Sequence, residues 1–275
     1  MTRGWQDPMS TVPIGRLLRE WRAARRLSQL DLSLAAGVST RHISYVETGK
    51  ARPSRELVTR LADTLEMPLR ERNALLVAAG FAPKYPETVL ATPALAAVRR
   101  AIDSILRQQE PYPAFLLNRH WDILAANDAA ARVTGHLLDG RAPASGNMIR
   151  QFFDPQGLRP AVENWEEIAR DLIRHLHIEV AAAPSDAKAR ELLADVLAYP
   201  GVPASWRLRD VGASPAPLLT TVFGKGGRRL RFFSTITTFG TPHDVTLDEL
   251  RIECAFPEDE ATADFCRQLR DAAPG

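Results

Sequence analysis

At 275 residues, 45% hydrophobic and 25% charged, the chain has the bulk of a folded protein with room for two ordinary domains, which excludes disordered and fibrous classes. Its net charge of +2 is unevenly spread: residues 1–80 hold 13 Lys and Arg against 8 Asp and Glu, whereas the remainder holds 22 against 25. No apolar run approaches a bilayer span and the opening MTRGWQDP has no apolar signal core, so a cytoplasmic protein without membrane contact is expected. Residues 1–12 show no periodicity and are expected to form a flexible N-terminus. From 14 to 27, Ile14, Leu17, Leu18, Trp21 and Leu27 recur at helical spacing while arginines cover much of the rest, which predicts a first helix.

Residues 28–49, SQLDLSLAAGVSTRHISYVETG, predict two short helices at a tight turn. Ser28 caps a helix over 29–36, Gly37 supplies the left-handed residue that stops it, Ser39 caps a second over 40–48, and Gly49 closes that one. Leu32, Ala36, Val38, Ile43 and Val46 are expected inside, and Ser33 is small enough for a close helix crossing. This spacing resembles the helix-turn-helix of phage-repressor-like (Cro/XRE type) DNA-binding domains, in which the second helix enters the major groove. The resemblance implies that Gln29 fixes a phosphate and that Thr40, Arg41, Ser44 and Tyr45 face base edges, with Ser39 at the start of the same helix. Arg22, Arg25 and Arg26 stand close enough in sequence to be backbone-contact candidates, the alternative being a solubilising face.

Beyond the motif, Lys50 and Arg52 lie in a loop expected to touch phosphate. Helices over 54–65 and 69–79 then complete a five-helix domain, 13–80. Its basic excess suits a phosphate-binding module joined to a neutral one, although a solvated surface would carry the same charge. Pro83, Pro86 and Pro93 mark 81–93 as a semi-stiff linker to a second domain, 94–275.

Leu95, Val98, Ile102, Ile105 and Leu106 predict an amphipathic helix at the start of that domain. Strands are expected over 115–117 and 123–125, then a helix capped by Asn127, helices near 147–153, 161–182 and 187–198, and strands over 218–223 and 228–239 around a glycine-rich turn. A last strand alternates Leu250, Ile252, Cys254 and Phe256 with polar residues, and Asp259 caps a terminal helix. The fold class is therefore multidomain, an all-α helix-turn-helix domain followed by an α+β domain with a five-stranded antiparallel sheet.

Strand, strand and capped helix in this order resemble the opening of a PAS-like sensor domain. The segments NRHWDILAAN (118–127), NW (164–165), RFFSTITTFGTP (231–242) and LRIE (250–253) resemble the ligand-binding domain of MmyB-like transcription regulators. That resemblance implies a small apolar, fatty-acid-like effector. Phe115, Leu117, Trp165, Leu172, Phe232, Ile236 and Phe239 are candidates to line its pocket, with Arg119, His120 or Arg231 to meet a carboxylate at the mouth.

Other chemistry is poorly supported. His175 and His177 face different ways on a helix, Cys254 and Cys266 are too few for a disulfide framework or four-ligand zinc, and neither a haem attachment motif nor a nucleophile motif is present. No catalytic residue, metal or cofactor is expected. The reading is a homodimeric regulator of double-stranded operator DNA that responds to a small apolar ligand. The alternatives are a C-terminal domain that serves as a ligand-free assembly module, or a cofactor-binding or enzymatic module.

Overall fold

The structure, a computed structural model, describes residues 13–208 and 218–272. The expected flexible segment 1–12 lies outside the described residues. The chain divides into two compact units: 1–87 with 180–187 and 243–245, and 88–179 with 188–242 and 246–275.

In the first unit five helices follow one another: α1 (Ile14–Ala24), α2 (Gln29–Ala36), α3 (Thr40–Glu47), α4 (Arg55–Thr64) and α5 (Leu69–Ala78). Their starts are set by short polar side chains. The Ser28 hydroxyl receives the Asp31 N–H while the Asp31 carboxylate receives that of Ser28, a reciprocal capping box, and Ser39 and Ser54 cap α3 and α4. Gly37, at φ 64°, ends α2, and Gly49, at φ 74°, follows α3. Helix α1 stops at Ala24, short of the expected 27, because Arg26 takes a left-handed conformation at φ 55°. The core is Leu18, Trp21, Leu32, Ile43, Val46, Val58, Leu61 and Leu65, each nearly inaccessible. Burying one such aliphatic side chain contributes about 1.5–3 kcal/mol. Part of the expected linker is held on this unit: Phe81 packs on its core, and the Asn73 side chain bonds the backbone of Lys84 and Tyr85.

The second unit opens with α6 (Ala96–Gln108), then β1 (Ala114–Leu117), β2 (Ile123–Ala126), α7 (Asp128–Leu137), α8 (Met148–Phe153), α9 (Trp165–Ala182) and α10 (Ala187–Ala198). It closes with β3 (Thr220–Lys225), β4 (Arg228–Thr237), α11 (Val245–Glu249), β5 (Arg251–Pro257) and α12 (Glu260–Asp271). The strands form one antiparallel sheet in the order β2-β1-β5-β4-β3. Its β3–β4 turn is two residues long, Gly226 and Gly227, both left-handed as such a turn requires. The preceding Gly224, expected in the turn, belongs to β3.

The two faces of the sheet are covered by different helices. Ala114, Leu116, Ile252 and Cys254 pack under α6 through Ile102 and Leu106. Phe223, Leu230 and Phe232 pack under Val133 of α7, Ile168 of α9 and Phe265 of α12. Among the described residues, no helix is long and apolar enough to cross a membrane.

Candidate functional site

Helix α3 presents the residues expected at DNA. Arg41 is exposed; its Nε donates to the Tyr45 hydroxyl at 2.9 Å, and its guanidinium lies over that ring, 5.2 Å from the centre, so the two side chains form one cationic unit. Lys50 and Arg52 are exposed beyond the helix end, and Ser44 is half-buried. Ser39 spends its hydroxyl on the His42 N–H. Thr40 faces inward more than expected, since its Oγ1 lies 2.8 Å from Ser33 Oγ at the crossing of α2 and α3. There it locks the two helices, and its hydroxyl is committed.

The residue missed at this site is Glu47, the last of α3, only 4% exposed. Arg22 Nε and Nη2 donate to its two oxygens at 2.7 and 3.0 Å, and Gln29 Nε2 donates to Oε2 at 2.8 Å. Burial pushes this carboxyl up, but the hydrogen bonds from Arg22 and Gln29 and the charges of Arg22 and Arg19 outweigh it and hold it below the ordinary glutamate range. Gln29, expected at phosphate, is therefore oriented by Glu47. Arg22 is an internal brace at 16% side-chain exposure, and Arg25 bonds the Leu65 and Glu66 carbonyls while resting on Trp21. These two arginines are corrected from backbone-contact candidates to structural residues. The signal available in the sequence was the lone acid of this helix, standing at its last residue.

In the second unit, register puts Phe115, Leu117, Phe232 and Ile236 on one face of the sheet, opposite α6. Trp165 and Leu172 of α9 pack in the same cluster as Phe232 on that side. Phe239 packs with the α6 cluster on the other face. The expected head-group cations are also differently placed. Arg119 is paired with Glu249 at 2.8 Å. Arg231 alternates with Leu230 and Phe232, so it points away from their face and meets Glu258 at 2.6 Å and Asp259 at 3.9 Å. The His120 N–H is held by Asn118 Oδ1 in the β1–β2 turn.

A polar group not foreseen lies beside this face. Glu179 of α9 receives Trp121 Nε1 at 3.0 Å and Arg251 at 2.5 Å, with His175 Nε2 at 3.3 Å. Burial raises this carboxyl, yet the His175 hydrogen bond, the Arg251 charge and the Trp121 hydrogen bond leave it below the ordinary range. His177 instead meets the Trp206 carbonyl, so the His-x-His pair diverges. Among the described residues no cluster of three or more His, Cys, Asp or Glu is arranged to hold a metal.

Comparison with known proteins follows the same division. The helix-turn-helix domain model matches residues 13–75, and the MmyB-like transcription regulator ligand binding domain model matches 98–269. The uncharacterized HTH-type transcriptional regulator Rv0023 of Mycobacterium tuberculosis is 36% identical over 94 residues, 34% of this chain and 37% of that protein. The uncharacterized HTH-type transcriptional regulator RghRB of Bacillus subtilis is 36% identical over 78 residues, 28% of this chain and 54% of that protein. The chain thus spans well under two thirds of the length of either relative.

Proposed function

Given that the chain belongs to the MmyB-like transcription regulators and is a helix-turn-helix regulator with a ligand-binding domain, we propose that it reads operator DNA with α3 and couples that binding to a small apolar, fatty-acid-like effector in a PAS-like C-terminal domain. The observation that carries the DNA reading is the Arg41–Tyr45 unit on α3, with Arg41 exposed and the exposed Lys50 and Arg52 following in the next loop. Arg41 and Tyr45 are assigned to base edges, and Gln29, Lys50 and Arg52 to phosphates. The carrying observation for the effector is the shared sheet face of Phe115, Leu117, Phe232 and Ile236, on which Ile236, beyond the end of the β3–β4 pairing, is 46% exposed.

A single helix-turn-helix reads few bases, so the working form is a homodimer on an inverted repeat, with recognition helices about 34–36 Å apart. The protein acts in the cytoplasm, where its DNA lies. A ligand alters operator affinity only by favouring one arrangement of the protein over another, and about 1–3 kcal/mol of coupling suffices. The test is operator binding with and without long-chain apolar compounds. Compounds that raise the melting temperature of the full chain are expected to shift operator affinity, and compounds that stabilise without any such shift would refute the coupling.

A further inference from the structure

Both outermost strands of the sheet are engaged on their far sides. Beside β3, Val162 bridges Phe223, the Glu163 N–H donates to the Val222 carbonyl, and the Asn164 side chain bonds Thr220 and Val222. Beside the start of β2, Asp122 bridges Asn147 and the Ile123 N–H donates to the Gly146 carbonyl. The far end of β4 is different. Its pairing with β3 ends at Phe233 and Thr220, and Leu219, next in line for Ser234, is outside the strand, whereas β4 runs on along β5 to Thr237. Ser234, Thr235, Ile236 and Thr237 are all exposed, and among the described residues no strand pairs with them on the β3 side.

Which backbone groups face outward there follows from the turn. A two-residue hairpin makes Lys225 and Arg228 a hydrogen-bonded pair, so by alternation Arg228, Leu230 and Phe232 bond β3, and Ser234 and Ile236 aim their N–H and C=O the same way. The Arg231 carbonyl, out of phase with these, accepts from the Glu258 N–H on the opposite side, as the alternation requires. A row of open N–H and C=O groups is a template for another strand, and proteins guard such edges with charge, proline or a bulge. This one is unguarded. From Phe233 to Gly240 the chain has no charged residue and no proline, and the register of β4 on β5 is unbroken.

We infer that two copies of the chain meet along this edge, β4 antiparallel to β4 across a two-fold axis. This rests on the homodimer reading above and supplies its interface. A second copy is the occupant because that reading requires a two-fold axis, and an edge strand meets its own copy antiparallel about such an axis. With Thr235 opposite the partner's Thr235, the open groups of Ser234 and Ile236 exchange hydrogen bonds with those of the partner's Ile236 and the partner's Ser234, and no like charges face each other. The two copies of Thr235 then form a non-hydrogen-bonded pair with Cα atoms about 4.5 Å apart.

The experiment is light scattering of the full chain over a range of concentration, for wild type, Thr235→Lys and Thr235→Glu. Each variant alone sets like charges opposite each other and is expected to raise the dimer dissociation constant about tenfold or more, while an equimolar mixture of the two is expected to recover the dimer. Recovery on mixing also shows that both variants fold. Because Cys254 and Cys266 are buried, Thr235→Cys is expected to give a covalent dimer on mild oxidation, and Ala101→Cys, at an exposed position of α6, is not. Single variants that dimerise as wild type does, a mixture that stays as weak as its components, or Thr235→Cys cross-linking no better than Ala101→Cys each overturn the inference. In those cases a wild-type dimer leaves the homodimer reading in place with its axis elsewhere. A wild type that remains monomeric removes both.

Discussion

Glu47 shows how one buried charge organises a recognition surface. With Arg22 and Gln29 on its oxygens it ties α1 and the start of α2 to the end of α3. Removing one partner of such a pair leaves the other buried and uncompensated, at a cost of about 3–5 kcal/mol. Arg22→Ala is therefore expected to lower the denaturation midpoint of the N-terminal unit far more than Arg16→Ala, whose partner Glu20 is exposed. The pH dependence follows from the sign of the shift. Because the folded-state carboxyl titrates below its unfolded value, its contribution is complete above about pH 4.3 and is lost as pH falls through the lower folded value. Urea midpoints of the wild type should fall on acidification through this window, and Glu47→Gln should be weaker at neutral pH with a flatter acid limb. A parallel acid response in the two proteins would refute the role given to Glu47. None of this was legible from spacing, because the sequence places Arg22 and Glu47 on separate helices and says nothing about their meeting.

At the level of elements, the helix-turn-helix was read nearly to the residue because its determinants are local: Ser28, Gly37 and Ser39 act within one turn of where they stand. Gly15 escaped notice, since a glycine inside a helix looks like a mere weakness. A Cβ there would lie 2.3 Å from the Glu47 carbonyl oxygen, so glycine is what lets α1 lie against α3. Gly15→Ala should cost about 1–3 kcal/mol, although alanine favours helix, because backbone must shift to admit it. A melting temperature equal to or above the wild type would refute that close approach. In the sheet, both hairpins could be read from alternation and turn residues, but the pairing of β1 with β5 joins residues far apart in sequence and could not. The asparagines of the C-terminal motifs turn out to be scaffolding. Asn127 bonds the Leu106 and Tyr112 carbonyls and the Ala114 N–H, and Asn164 bonds Thr220 and Val222 along β3. Alternation separates Phe232 and Ile236 from Arg231 and Phe239 on β4 and beyond it, but it does not say which face a given helix covers; Phe239 packs on the α6 side and Arg231 meets Glu258.

In the whole molecule a basic helical unit carries the helix-turn-helix and a sheet unit carries the ligand-binding domain. Light scattering of the full chain at micromolar concentration should give a dimer, and a monomer that persists on operator DNA would count against paired recognition helices. We predict that α3 reads sequence through Arg41 while Arg52 binds phosphate. The direct measurement is binding of the full chain, over a range of salt, to an operator selected from random DNA and to a scrambled duplex, comparing wild type with Arg41→Ala and Arg52→Ala. Arg41→Ala should lose about 1–3 kcal/mol on the operator and much of the preference over the scrambled duplex, whereas Arg52→Ala should weaken both duplexes alike and reduce the salt slope by about one. An Arg41→Ala protein with unchanged operator affinity and unchanged preference would contradict the placement of α3 in the groove.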